Sequence, residues 1–249
     1  MFTTLQTIII GVVLLTLIGG LFIYFFAPIK TFWLIVRVSP FEQTISGTPT
    51  VLILGDSTGY GTGATDGKDS IAGLIGSDFA LSIKNQSDNG RTIDELLSDI
   101  KNFEGTYELI LLQIGANDIL QKRPVETVED ELRTIINKLS THTQHIIMMP
   151  SGNVGASPKF SGTESETYEQ LSRDFRDMFL QVANDTQLVY IDLFEPVEED
   201  PFAQDPEKYI AIDGLHPSSA GYKKWYDTLY PAIAPILNPY KTPDNETKR

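Results

Sequence analysis

The sequence predicts an α/β domain built on a mostly parallel sheet of about five strands, with helices on both faces. Short, continuously apolar runs recur along the chain, and such runs are typical of strands buried on both faces. The stretches between them carry apolar residues at helical spacing. Alternating strands and helices imply right-handed crossovers between parallel strands. The predicted strands are 51–54, 81–83, 109–112, 145–149 and 188–191.

The predicted helices follow from spacing and from one capping signal. Thr92 and Glu95 form a capping box that opens a helix over Ile93 to Ile100. Apolar residues at helical spacing predict further helices over 128–139, 171–182 and, after Pro217, over 222–229. We expect this last helix to bend or end at Pro231, because proline lacks the amide donor that a helix interior needs.

Composition narrows the possible functions. The chain has 249 residues, 41% of them hydrophobic, which is ordinary for a folded protein with a sizeable core. Its formal charge of -14 repels nucleic acid and anionic membrane surfaces, so neither is predicted as a ligand. Cysteine is absent, which excludes disulfides, thiolate metal sites and cysteine catalysis.

The N-terminal segment predicts a membrane anchor. Ile8 to Ala27 is almost wholly apolar, and no charged side chain precedes Lys30. About 20 such residues form a helix of roughly 30 Å, which spans the hydrocarbon core. The uncharged start and the lack of a small-residue cleavage site favour an uncleaved single-pass anchor over a signal peptide. Lys30 and Arg37 favour a cytoplasmic C-terminal domain, although two charges leave the side of the membrane open.

Four segments follow from these patterns. Residues 1–38 are the anchor and juxtamembrane segment, 39–49 a polar linker containing Pro40, Gly47 and Pro49, 50–237 the folded domain, and 238–249 a polar tail that we expect to be disordered.

Two short motifs carry most of the chemical information. Gly55-Asp56-Ser57 directly follows the first predicted strand, and Asp213-Gly214-Leu215-His216 lies near the end of the domain. A serine hydroxyl is a poor nucleophile until a base takes its proton, and His216 is the candidate base. Asp213 can reach that imidazole across one turn, fix its tautomer and stabilise the imidazolium. The structural alternative is that Asp213 only caps a turn.

An ester hydrolase also needs donors for the developing oxyanion. The candidates are the Ser57 backbone amide, the amide of Gly90 after the second strand, and the Asn117 side chain after the third. A tight turn at Gly90 and a turn role for Asn117 are the alternatives. His142 and His145 lie at a helix–strand junction without a carboxylate cluster, so we interpret them as surface or packing residues and predict no metal site.

These blocks resemble the SGNH, or GDSL-type, hydrolase superfamily. The name of this superfamily records a serine, a glycine, an asparagine and a histidine in four sequence motifs. The matching residues here are Ser57 in Gly-Asp-Ser-Thr, Gly90, Asn117 in Gly-Ala-Asn-Asp, and His216 in Asp-Gly-Leu-His-Pro, and the resemblance covers about Val51 to Leu237. The resemblance implies a three-layer, flavodoxin-like α/β/α domain, a Ser57–His216–Asp213 triad and an oxyanion hole from Ser57, Gly90 and Asn117. It implies hydrolysis of carboxylic esters, thioesters or acetylated sugars without a cofactor.

One position departs from the family pattern. Many relatives have glycine where Ser87 stands in Asn85-Gln86-Ser87-Asp88-Asn89-Gly90, and a side chain there could narrow the site or change the loop. We also expect Phe160 to Tyr168 to contribute to the pocket wall.

The same motifs also fit other classes of protein. Gly55 to Gly59 also fits the G-x-S-x-G elbow of α/β-hydrolases, but that elbow usually follows several strands. Gly59 to Ala64 matches a dinucleotide fingerprint, but polar loop residues follow it where a helix should begin. The chain could also be a membrane-tethered domain that binds an ester or glycan without hydrolysing it. The favoured prediction is a membrane-anchored serine esterase acting on a small-molecule, lipid or glycan ester, with its oligomeric state open.

Overall fold

The computed structural model describes residues 38–241, together with Val13, Leu15 and Thr16. Five strands form a fully parallel sheet in the order β2-β1-β3-β4-β5. The strands are β1 Thr50–Gly55, β2 Ser82–Asn85, β3 Leu109–Gln113, β4 Ile146–Met148 and β5 Leu188–Tyr190. The predicted five-stranded parallel sheet is thus confirmed.

Helices connect the strands. They are α1 Ser57–Tyr60, α2 Ile71–Asp78, α3 Ile93–Asp99, α4 Ala116–Leu120, α5 Val125–Leu139, α6 Thr163–Asp185, α7 Pro201–Gln204, α8 Pro206–Tyr209 and α9 Ser219–Leu237. The capping box is present at the start of α3, where the Thr92 N–H donates to Glu95 Oε2 at 3.0 Å.

The helices cover both faces of the sheet. Along β1, Leu52 and Leu54 pack in a core with α3, α5 and α6, whereas Val51 and Ile53 pack in a second core with α2 and α9. This alternation follows from the two-residue period of a strand. With helices packed on each face, the sheet is the middle layer of the predicted three-layer α/β/α fold.

Helix α9 does not end at Pro231. It continues through Pro231 and Pro235 to Leu237, and Ile233 and Leu237 are fully buried beneath the sheet. An interior proline costs about 3 kcal/mol, and burying an aliphatic side chain gains about 1.5–3 kcal/mol. Burial of Ile233 and Leu237 therefore offsets much of the combined cost of the two interior prolines.

Residues 38–49, which we call the strap, pack along the outer edge of β2 and include the predicted linker. Gln43 and Ile83 exchange backbone hydrogen bonds of 3.0 and 2.7 Å as an antiparallel pair. Phe41 packs against the core on the α2 side, and the Ile45 N–H donates to Ser82 Oγ at 2.9 Å. The strap therefore covers a sheet edge whose backbone groups would otherwise be exposed.

Both predicted terminal segments fall largely outside the described residues. The predicted membrane span, Ile8 to Ala27, lies there except for Val13, Leu15 and Thr16. Among the residues that are described, none of the helices has both the length and the apolar character to cross a membrane. Of the predicted tail, Asn238–Tyr240 forms a 3₁₀ turn and Lys241 pairs with Phe79, while 242–249 lie outside the described range.

Candidate active site

The sharp turn after β1 presents Ser57. Asp56 caps α1, because its Oδ1 accepts hydrogen bonds from the Thr58 N–H and from Thr58 Oγ1, both at 2.8 Å. A side chain at Gly55 would collide with the backbone of Gln113 on β3, so glycine permits the close approach of the two strand ends. Ser57 is the first residue of α1, and its N–H is one of the donors that a helix start leaves without an intrahelical acceptor.

The loop before α9 presents Asp213 and His216. Asp213 Oδ1 accepts the backbone N–H groups of Leu215 and His216, each at 3.1 Å. Its second oxygen, Oδ2, lies 2.5 Å from His216 Nδ1. Gly214 has a φ of +75° between them, a conformation that favours glycine. Asp213 therefore holds the turn with one oxygen and the imidazole with the other.

The two motifs meet at the carboxyl end of the sheet. His216 Nε2 lies 2.9 Å from Ser57 Oγ, and both residues are 9% exposed. Burial acts to raise the pKa of Asp213, but the hydrogen bond and charge of His216 outweigh it and hold that pKa below its ordinary value. An ionised Asp213 accepts the Nδ1–H, which leaves Nε2 free to accept the Ser57 proton. The geometry is that of a nucleophile, a base and an orienting acid.

Two neighbouring loops supply the other predicted residues. Gly90 and Asn117 line the same cavity as Ser57 and His216. Gly90 has a φ of +82°, and a Cβ there would meet nothing within 4 Å, so conformation rather than space requires glycine. Asn117 Nδ2 donates one hydrogen to the Arg91 carbonyl at 3.1 Å, which leaves its second amide hydrogen for another acceptor.

A buried ionic group that sequence reasoning did not single out joins these two loops. Both carboxylate oxygens of Asp118 lie 3.2 Å from the Ile93 backbone N–H, and Arg123 contacts Oδ1 at 2.6 Å. Asp118 is fully buried, and this burial raises its pKa despite the bonds from Arg123 and Ile93. The sequence signal that could have identified Asp118 is its place directly after Asn117 in Gly-Ala-Asn-Asp.

Ser87 does not narrow the site. It is absent from the cavity lining, and its side chain instead points at Gly59, where a Cβ would overlap Ser87 Oγ and stand 3.2 Å from Ser87 Cβ. Within the described part of the chain, Ser87 Oγ is buried without a hydrogen-bond partner. The Ser87 side chain occupies the space that the glycine at position 59 leaves open.

A mostly apolar cavity of about 350 Å³ adjoins Ser57 and His216. Its remaining wall comes from the end of α4, the loop after β4, the segment between β5 and α9, and α9 itself; these lining residues include Leu120, Ser151, Asn153, Val154, Ala156, Leu193, Asp200, Phe202, Ile210, Leu215 and Trp225. Phe160 and Tyr168 are not among the lining residues; their rings lie 4.4 Å apart in the core. The expected contribution of Phe160 to Tyr168 to the pocket wall is therefore wrong, and residues 151–157 take that place.

His142 and His145 lie away from this site. They border a second, polar depression at the opposite end of the sheet, formed by residues 106–108 and 140–145. His142 Nδ1 is 2.6 Å from the Gly105 carbonyl oxygen, and its ring packs edge-on against Phe103. These contacts are those of a packing residue.

Comparisons with known proteins agree with the fold. Three solved structures of similar proteins cover most of this chain. A member of the lipolytic G-D-S-L family from Veillonella parvula is 18% identical, with a TM-score of 0.59 over 74% of this chain and 98% of that one. An acetylxylan esterase from Geobacillus stearothermophilus, solved as a catalytic mutant, is 17% identical, with a TM-score of 0.59 over 77% and 96%.

The third structure is a psychrotrophic esterase from Pseudoalteromonas sp., solved with monoethylphosphonate as inhibitor. It is 23% identical, with a TM-score of 0.53 over 76% of this chain and 99% of that one. A search of curated proteins found no match.

The family model of the GDSL-like lipases and acylhydrolases matches residues 53–224, well over half of the chain. This range contains the Ser57 turn, both loops with Gly90 and Asn117, and the loop with His216. The chain belongs to the GDSL-like lipase/acylhydrolase family and is a serine esterase of the SGNH type.

Proposed function

We propose that the chain is a membrane-anchored carboxylic ester hydrolase in which Ser57, His216 and Asp213 form the catalytic triad. The observation that carries the proposal is the pair of contacts at His216, 2.9 Å from Nε2 to Ser57 Oγ and 2.5 Å from Nδ1 to Asp213 Oδ2. A single imidazole between a hydroxyl and an ionised carboxylate is the arrangement that activates a serine.

The reaction follows from these contacts. Ser57 Oγ attacks the acyl carbonyl while His216 takes the serine proton, and His216 then protonates the leaving alkoxide. Asp213 holds the imidazole and stabilises its charged form. Water, deprotonated by His216, then attacks the acyl-serine ester, and the acid leaves as Ser57 regains its proton.

The Ser57 N–H, the Gly90 N–H and the Asn117 side chain stabilise the tetrahedral oxyanion. Each such donor is typically worth about 2.7–4 kcal/mol in the transition state. This assignment is supported by the position of all three residues around one cavity. The strand order reverses between β1 and β3, and open α/β sheets bind their ligands at such a reversal.

Anchoring belongs to the same proposal and rests on the sequence of Ile8 to Ala27. Lys30 and Arg37, which follow the predicted span, favour the cytoplasmic side for the domain.

Labelling with a fluorophosphonate probe tests the proposed nucleophile against the alternative of a non-catalytic binding domain. We expect the full chain to be labelled, Ser57→Ala to lose the label, and Ser140→Ala to keep it. Ser140 is a matched control because it is an exposed serine at the end of α5, away from the cavity. An unlabelled full chain would favour the binding domain, and label retained on Ser57→Ala would place the nucleophile elsewhere.

A further inference from the structure

The strap brings the polypeptide into the domain on the face that carries the active site. Its pairing with β2 is antiparallel, so its first residue, Val38, lies at the carboxyl end of the sheet. Val38 Cγ1 is 3.8 Å from the position that a Cβ on Gly61 would take. The Gly61 N–H donates to the Ser57 carbonyl at 3.1 Å, so Val38 stands beside the helix of the nucleophile.

The same short loop also contacts the histidine. A Cβ on Gly63 would stand 2.9 Å from His216 Cβ and 3.2 Å from Ala211 Cβ. Residues 61–63 therefore lie between the start of the strap and the loop that holds His216. The attachment point and the active-site loop are neighbours on one surface.

An exposed apolar side chain marks that loop. Within residues 38–241, the large hydrophobic side chains classed as exposed are Ile212, at 67%, and Val189, at 47%. Ile212 lies between Ile210 and Leu215, which line the cavity, whereas Ile212 itself faces outwards. We call the outer surface of this loop the rim of the cavity; within residues 38–241, little protein covers Ile212 there.

The tether from the predicted span is short relative to the domain. The span ends at Ala27, and residues 28–37 separate it from Val38. Ten residues reach at most about 35 Å when fully extended. A domain of roughly 200 residues is about 40 Å across, from a radius of gyration of about 16 Å. The attached face therefore stays nearer the membrane than the opposite end of the sheet.

We infer that the rim around Ile212 docks on the bilayer that holds Ile8 to Ala27, and that the cavity takes a long-chain ester directly from that bilayer. The inference rests on the proposed anchor and on the proposed hydrolase function. The mostly apolar lining of the cavity suits an acyl chain, and Ile212 is an apolar side chain on the same loop as the lining residue Leu215. The net charge of -14 makes a zwitterionic surface the partner rather than an anionic one.

The absence of cysteine allows a direct test of the docking. Ile212→Cys, and Val189→Cys as the matched control, each give the full chain a unique site for an NBD fluorophore. Val189 lies in β5, the edge strand farthest from the strap. In phosphatidylcholine vesicles that contain a nitroxide-labelled lipid, we expect strong quenching of the fluorophore at position 212 and little at position 189. Equal quenching at both positions, or none at 212, overturns the docking.

Activity tests the delivery of the substrate. The full chain and its Ile212→Ser and Val189→Ser variants are compared on p-nitrophenyl palmitate embedded in phosphatidylcholine vesicles and on soluble p-nitrophenyl acetate. We expect Ile212→Ser to lose about tenfold on the embedded ester, because one buried isoleucine is worth about that factor, and to retain its rate on acetate. Val189→Ser should change neither rate.

The outcomes separate this inference from the proposed function. Equal loss on both esters by Ile212→Ser, or no hydrolysis of the embedded ester by the full chain, overturns delivery from the bilayer. Quenching at position 212 without hydrolysis of either ester leaves the docking surface standing and rejects the proposed hydrolase.

Discussion

Asp56 shows how a buried carboxyl can be part of the turn that presents the nucleophile. Its Oδ1 accepts two hydrogen bonds from Thr58, whereas Oδ2 is buried without a hydrogen-bond partner within the described residues. Burial raises the pKa of Asp56 to about 6, against the opposing effect of the Thr58 bonds. Folding therefore favours the neutral acid relative to the unfolded chain, and Asp56 stays neutral in the folded protein up to about pH 6.

This shift makes stability depend on pH. Because the folded pKa of about 6 lies above the ordinary 3.8, the stability contributed by neutral Asp56 is present below pH 3.8 and is lost as pH rises through about 6. The full loss is about 3 kcal/mol. Asn at this position keeps the Oδ1 acceptor and never ionises.

We therefore predict that Asp56→Asn gains stability relative to the unmodified chain as pH rises from 4 to 7, by up to about 3 kcal/mol. Urea unfolding of both full-length proteins in a non-ionic detergent measures the difference at each pH. A difference that stays constant across this window would show that Asp56 is not buried as a neutral acid.

The Ser87 side chain packs directly against Gly59. The overlap between a Cβ at position 59 and the Ser87 side chain predicts that Gly59→Ala destabilises the fold by about 1–3 kcal/mol. In a chain that also carries Ser87→Gly, the same change should cost markedly less, because the space is then free and alanine is the better helix former. Thermal unfolding of the two singles and the double measures the coupling. Additive costs would contradict the packing.

Among the secondary-structure elements, Asp118 holds together the two loops that carry Gly90 and Asn117. Through the Ile93 N–H and Arg123, this carboxylate joins the start of α3 to α4, and Asn117 bonds to Arg91 within the same pair of segments. Gly90 and Asn117 keep their places through these bonds. Asp118 is therefore a positioning residue for the proposed oxyanion hole.

This role predicts that Asp118→Ala lowers kcat by about tenfold to a hundredfold with little change in KM, because displaced donors act mainly in the transition state. Asp94→Ala is the control, since Asp94 also contacts Arg123, at 3.0 Å, but is exposed. Steady-state kinetics on a soluble ester gives both constants. An equal loss in the control, or a loss confined to KM, would argue against positioning.

The elements also show which features a sequence can predict. The strands could be predicted from continuous apolar runs, and the long helices from apolar residues at helical spacing. The start of α3 could be predicted from the capping box, whose two side chains lie three residues apart. The strap and the continuation of α9 beyond Pro231 depend on long-range packing against β2 and the sheet. This long-range packing overrides two local signals, the polar composition of residues 39–49 and the helix-breaking tendency of Pro231.

At the scale of the whole molecule, parallel topology explains why the candidate site residues could be named from sequence. Ser57, Gly90 and Asn117 follow β1, β2 and β3, which are neighbours in the sheet and end at one edge. Residues 151–157 follow β4 at the same edge, and Asp118 directly follows Asn117, so their sequence positions were visible too. Their contacts, which make one a cavity wall and the other an ionic group, depend on how separate loops fold over that edge.

In the proposed reaction, Ser57 is the residue that becomes acylated. Rapid-quench mass spectrometry of the full chain during turnover of p-nitrophenyl butyrate tests this most directly. We predict a butyryl adduct on the peptide that contains Ser57, formed within one turnover and absent from Ser57→Ala. Hydrolysis that proceeds with no adduct, or an adduct on another residue, would contradict acylation of Ser57.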